Sequence, residues 1–306
     1  MNKLKIGILS TIFAALAFTS CQKDFLEVKP FNQSSEEELF QNPERAQQLV
    51  NASYRSLLDA DFLSGMTQQV NELWSDNVTV AANNGNYRYY NHQLGDIFND
   101  AFNGSIMGGM GRICRDANAA IYGLNKYGAT YGDKLPADKQ KKIIAEAKFL
   151  RSLAHFETVR LFAQPYGFTA DNSHYGISIR NDFSVEVVGR STVAEVYAFL
   201  EKDLQEAIAD LPATPATWGY ASKNIAKGLL AKVYFQENKY QQAYDLANDL
   251  LTSSGIDADT VQNRFSKLIV NTGSLYLLTP QLNSNSALGN YRFQTIYAPG
   301  DRKSVV

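Results

Sequence analysis

The sequence predicts a mainly α protein, a row of amphipathic helices interrupted by loop-rich segments. Three observations carry that expectation. Residues 222–253 hold two apolar patterns of helical period across the short link "ENK", which forces an antiparallel helical hairpin. Residues 192–212 combine a Thr192/Glu195 capping box with an apolar stripe and stop at Pro212. Residues from Pro136 to Phe162 form a long helix-forming run that "AQPYG" ends, because the residue before a proline is pushed out of the helical region.

Residues 1–20 read as an export signal and stay outside the fold. Lys3 and Lys5 precede an apolar stretch, Ile6 to Phe18, and Thr19-Ser20 provide a small-residue site before Cys21. The apolar stretch is shorter than the roughly 20 residues of a spanning helix, and no later segment stays apolar that long, so no transmembrane helix is expected in the mature chain. A cysteine directly after small residues is the acylation site of a bacterial lipoprotein signal; an ordinary signal peptide with an incidental cysteine is the alternative. Residues 21–34, with Pro30, lack a helical period and read as a lipid-anchored tether.

A helical domain with inserted loops is expected over residues 35–254. Asn42-Pro43 supplies an N-cap and a first-turn proline for a helix over about residues 43–59, with Ala46, Leu49, Val50, Tyr54 and Leu57 on one face. Residues 60–104 form the first loop region, rich in Asn, Gly and Tyr, with a short helix around Thr67–Trp74. Ile113, Ala117, Ala120, Ile121 and Leu124 place a second helix over 106–127. Residues 164–190 and 212–221 are further loops. In 192–212 the stripe is Val193, Val196, Tyr197, Leu200, Leu204, Ala207, Ile208 and Leu211. In the hairpin, Leu230, Ala231, Tyr234, Tyr240 and Ala243 fall on the spacing of a tetratricopeptide repeat, although Lys227 stands where that repeat often has tryptophan. Residues 255–306 are irregular, and the chain is expected to be truncated there.

Composition narrows the function. Without Lys3 and Lys5, 27 of the 29 basic residues face 31 acidic ones, which gives no reason to expect a nucleic-acid partner. With Cys21 acylated, Cys114 has no disulfide partner, so packing must supply the stability of the chain. His92, His155 and His174 lie at no metal-ligand spacing, and nucleophile-elbow, phosphate-loop and dinucleotide motifs are all missing. "NGSIMGGMGR" lacks the strand and lysine of a phosphate loop and reads as a loop or helix entry. No enzyme, cofactor or metal is expected. Binding is the better reading, because aromatic faces stack on sugars or peptide side chains while amides and carboxylates fix hydroxyls. The candidates are Trp74, Asp76, Asn77, Asn83, Tyr87, Tyr89, Tyr90 and His92 in one loop, and Trp218 and Tyr220 in a second.

Several segments together resemble the SusD/RagB outer-membrane nutrient-binding lipoproteins of the Bacteroidota: "CQKDFLEVKP", "NPERAQQLVNASYRSLL", "ELWSDN", "EAKFLRSLAHFETVRLFAQPYG", "STVAEVYAFLEKDLQEAIADLP" and "KNIAKGLLAKVYFQENKYQQAYDLANDLL". The resemblance implies a right-handed helical scaffold of tetratricopeptide-like helix pairs, with an irregular, loop-rich binding region packed against it. It also implies a non-catalytic, surface-exposed lipoprotein anchored through Cys21 in the outer membrane. Such a protein covers a SusC-type TonB-dependent transporter and delivers oligosaccharides or peptides to it. Members usually run well beyond 306 residues, which is the basis for expecting a truncated chain. The alternative is a helical-repeat interaction scaffold without a small ligand.

Overall fold

The computed structural model describes residues 36–59, 62–63, 65–75, 101–184, 186–215 and 219–253. The chain divides into two units after Asn42. The first holds a short helix, α1 (Glu36–Phe40), whose first turn carries Glu36, Glu37 and Glu38 where carboxylates favour the helix dipole.

The second unit is a stack of helices: α2 (Arg45–Leu57), α3 (Met66–Trp74), α4 (Ala101–Tyr127), α5 (Ala137–Phe162), α6 (Val193–Asp210), α7 (Lys223–Gln236) and α8 (Tyr240–Ser253). Two 3-10 turns, Gly128–Thr130 and Gly132–Lys134, join α4 to α5. The main packing runs in chain order, α2 on α4, α4 on α5, α5 on α6, α6 on α7 and α7 on α8, as in repeat proteins whose helices bury their faces on neighbours. No strand forms among the described residues, only an isolated bridge between Tyr175 and Thr192.

α5 is the centre of the stack, touching α2 and α7 as well as α4 and α6. It is therefore buried almost all round. Ile143, Phe149, Leu150, Ala154, Phe156 and Val159 lie in the core, and so do Glu146, Arg151, Ser152, His155 and Thr158. Small residues, Ala117 and Ala120 on α4 and Ala147 and Ala154 on α5, lie in the same core, where a small side chain lets neighbouring backbones approach.

Helix ends follow their local chemistry. The expected capping box is present: Thr192 Oγ1 accepts from the Glu195 N–H, and the Glu195 carboxylate accepts from the Thr192 N–H at 2.8 Å. Ser222 caps α7 by accepting from Ile225 N–H. The α7–α8 link closes as a Schellman motif. Asn238 takes the left-handed conformation (φ 61°), its N–H donates to the Phe235 carbonyl, and the Lys239 N–H donates to the Tyr234 carbonyl. Asparagine tolerates this conformation because its short polar side chain bonds locally.

Three expectations change. α2 begins at Arg45 with Glu44 as its N-cap, so Asn42-Pro43 leads into the helix instead of capping it. α4 begins at Ala101 instead of residue 106, so "NGSIMGGMGR" lies inside the helix, the second of its two readings. Gly109 among its glycines serves packing: a Cβ there would stand 2.8 Å from Phe62 Cβ, and Phe62 is fully buried. Finally, residues 164–190 are tightly folded. Gly176 N–H donates to the Ser191 carbonyl at 2.7 Å, Ser191 N–H to Ile177, and Val193 N–H to His174, tying the segment to the start of α6.

Candidate functional site

Of the ten binding candidates, Trp74 and Tyr220 lie among the described residues; Asp76, Asn77, Asn83, Tyr87, Tyr89, Tyr90, His92 and Trp218 lie outside them, as does Cys21. Trp74 ends α3 and is 36% exposed. Tyr220 is half-buried, because its ring packs on Tyr54 with centroids 4.9 Å apart. The Tyr54 hydroxyl in turn accepts from the Ala221 N–H at 2.8 Å, so α2 holds the end of the 212–221 segment.

Beside Tyr220 lies a pocket of about 230 Å³, lined by Gln47 and Asn51 of α2, Lys142 and Glu146 of α5, and Pro212, Pro215 and Ala221. Glu146 is almost fully buried, and its Oε2 has no hydrogen-bond partner among the described residues. Lys142 Nζ approaches the other oxygen at 3.7 Å. Burial pushes the Glu146 carboxyl above the usual carboxylate range, while the Lys142 charge and the Gln47 amide pull it back. Sequence reading missed Glu146, which sits in a helix-forming run and looks like one more surface carboxylate.

A second, apolar groove of about 650 Å³ runs along α7 and α8, lined by Phe156, Phe235, Tyr240, Ala243, Tyr244 and Leu250. Phe235, Tyr240 and Tyr244 are all more than half exposed. The 164–190 segment adds exposed Phe168, Tyr175 and Phe183, with Arg190 over the Tyr175 ring. Their isolated positions in an aperiodic segment gave no sequence signal.

The buried polar groups serve structure. Arg151 clasps Asp203 of α6 with two hydrogen bonds, Nε to Oδ2 and Nη2 to Oδ1, while Nη1 donates to Asn118 Oδ1 on α4 and to the Asn181 carbonyl. His155 Nδ1 lies 2.7 Å from the Arg151 carbonyl and Nε2 accepts from the Arg180 N–H at 2.9 Å, a pattern that holds the neutral ring in one tautomer. Cys114 Sγ is 3.5 Å from His155 Nδ1. This contact lacks the character of a nucleophilic pair. Burial pushes the thiol up to about 12 and the imidazole down to about 4, which opposes proton transfer from sulfur to ring. Among the described residues no group of His, Cys, Asp or Glu is placed to hold a metal ion. None of the described helices is long and apolar enough to cross a membrane.

Residues 24–235 match a SusD-like family described as starch-binding and associating with the outer membrane. The chain belongs to the SusD-like family. It is 23% identical over 256 residues to the SusD-like protein P2 of Formosa agariphila, an alignment covering 83% of this chain and 47% of that protein. A SusD superfamily protein from Bacteroides thetaiotaomicron superposes with a TM-score of 0.60 at 22% identity, covering 72% of this chain and 49% of the other. A laminarin-binding SusD-like protein superposes with a TM-score of 0.52 at 20% identity, covering 72% and 46%. These SusD-like structures share the mainly helical fold seen here. The chain spans about half the length of the relatives it matches.

Proposed function

We propose that this SusD-like chain is a non-catalytic outer-membrane lipoprotein, acylated at Cys21 and surface-exposed, that binds oligosaccharides and passes them to a SusC-type TonB-dependent transporter. The observation that carries this reading is the family match over residues 24–235, for a family described as starch-binding and associating with the outer membrane. The chemistry of the described surface supports it, since Trp74, Phe168 and Tyr175 offer exposed rings of the kind that stack on sugar faces. The multiple acyl chains of bacterial lipoproteins agree with the anchor, because a single chain holds only marginally. Peptides are the second ligand class in this reading.

The experiment is affinity purification of the tagged chain from detergent-solubilised outer membranes, joined to calorimetric titration with maltotriose and laminaritriose. A co-purifying TonB-dependent transporter and saturable binding of either glycan are expected, with Trp74→Ala weakening that binding several-fold. Protein partners without any glycan affinity would overturn the reading in favour of an interaction scaffold.

A further inference from the structure

We propose that the pocket between α2, the first half of α5 and residues Pro212, Pro215, Tyr220 and Ala221 is a subsite for one sugar ring, whose hydroxyls are read by Glu146, Lys142, Gln47 and Asn51. It rests on the carbohydrate reading above and locates a contact point within it.

The pocket is polar in a way that asks for a ligand. Glu146 Oε2 is buried without a partner among the described residues, and such an acceptor costs the fold its full desolvation penalty until a donor reaches it. Lys142 brings only donors, whereas Gln47 and Asn51, already linked by a Gln47 Nε2 to Asn51 Oδ1 bond of 3.2 Å, bring both donors and acceptors. A sugar hydroxyl both donates and accepts, so neighbouring hydroxyls on one ring satisfy Glu146 and Lys142 together. Glu146 and Lys142 already lie within 3.7 Å and largely offset each other, which suits a neutral ligand better than the separated charges of a zwitterion. Pro212, Pro215 and the Tyr220 ring supply an apolar wall for the C–H face of the sugar. That wall is held in advance by the tilted ring contact of Tyr220 with Tyr54 and the Ala221 hydrogen bond. At about 230 Å³ the pocket lies below the roughly 300–1,000 Å³ of drug-sized sites, so it admits one ring and not a chain.

The test uses the full chain and Glu146→Gln, which keeps shape and removes the charge. Methyl α-D-glucopyranoside, maltotriose, laminaritriose and dialanine are titrated, read by calorimetry and by the side-chain amide signals of Gln47 and Asn51 in nitrogen-15 spectra. The expected result is saturable shifts of those amides with the sugars, and affinity about tenfold or more weaker in Glu146→Gln with an undiminished thermal midpoint. Trisaccharides that bind without moving the amides, and equally well to Glu146→Gln, would overturn the subsite while leaving the carbohydrate reading intact. Absence of any sugar binding would overturn both. Amide shifts with dialanine alone would replace the sugar by a zwitterion.

Discussion

Arg151→Met tests the buried junction that holds α4, α5, α6 and the 164–190 segment together. Arg151 and Asp203 have side chains only 7% and 4% exposed, so both charges depend on each other. The substitution removes the two bonds to Asp203 and those to Asn118 and the Asn181 carbonyl. It also removes the guanidinium from the face of Phe199. Asp203 is left as a buried charge without its counter-cation, a situation that costs about 3–5 kcal/mol. The double variant Arg151→Met/Asp203→Leu replaces the pair with apolar groups and should cost much less than the sum of the single changes, by at least about 1 kcal/mol. Urea unfolding followed by far-UV circular dichroism measures all three variants. An Arg151→Met cost below about 1 kcal/mol, or additive single changes, would refute the argument that the pair is an interdependent unit.

Two further outcomes follow from close packing and from burial. Gly109→Ala should destabilise by about 1–3 kcal/mol, because its Cβ meets the buried Phe62 at 2.8 Å, whereas Gly111→Ala, with nothing within 4 Å, should stabilise α4 by up to about 1 kcal/mol; thermal melts of the two variants should move in opposite directions. For His155, burial lowers the folded pKa from 6.5 to about 4, so its neutral ring contributes stability that is complete above pH 6.5 and is lost as pH falls towards 4, about 3 kcal/mol in all. The stability difference between the native chain and His155→Gln, measured by denaturation from pH 7 to pH 4, should therefore shrink on acidification. A flat difference would count against the buried neutral ring.

Much of the helical order was legible because local rules and global packing agree. The capping box at Thr192 and Glu195, the stop at Pro212 and the short link through Asn238 act within a few residues, and the structure keeps each of them. The apolar face from Ile113 to Leu124 starts α4 no earlier than residue 106, whereas the structure starts it at Ala101; Gly109, inside both ranges, fits the helix with the distant Phe62 side chain lying on it. The 164–190 loop is held down by contacts that local sequence does not show, since Arg151 and His155 on α5 bond to the Asn181 carbonyl and the Arg180 N–H.

The sequence by itself determined the helix order, most helix ends, the antiparallel α7–α8 hairpin and, through the joint pattern of its segments, the SusD-like family. These are properties of period and local hydrogen bonding, written along the chain. Tertiary structure alone decided that Glu146 faces a pocket with Lys142, Gln47, Asn51 and Tyr220, and that Arg151 spans from α4 to α6. The reason is physical: between residues 143 and 159 α5 is enclosed by neighbours on most of its circumference, so its polar residues there carry no periodic mark of which ones are buried, paired or left facing a cavity.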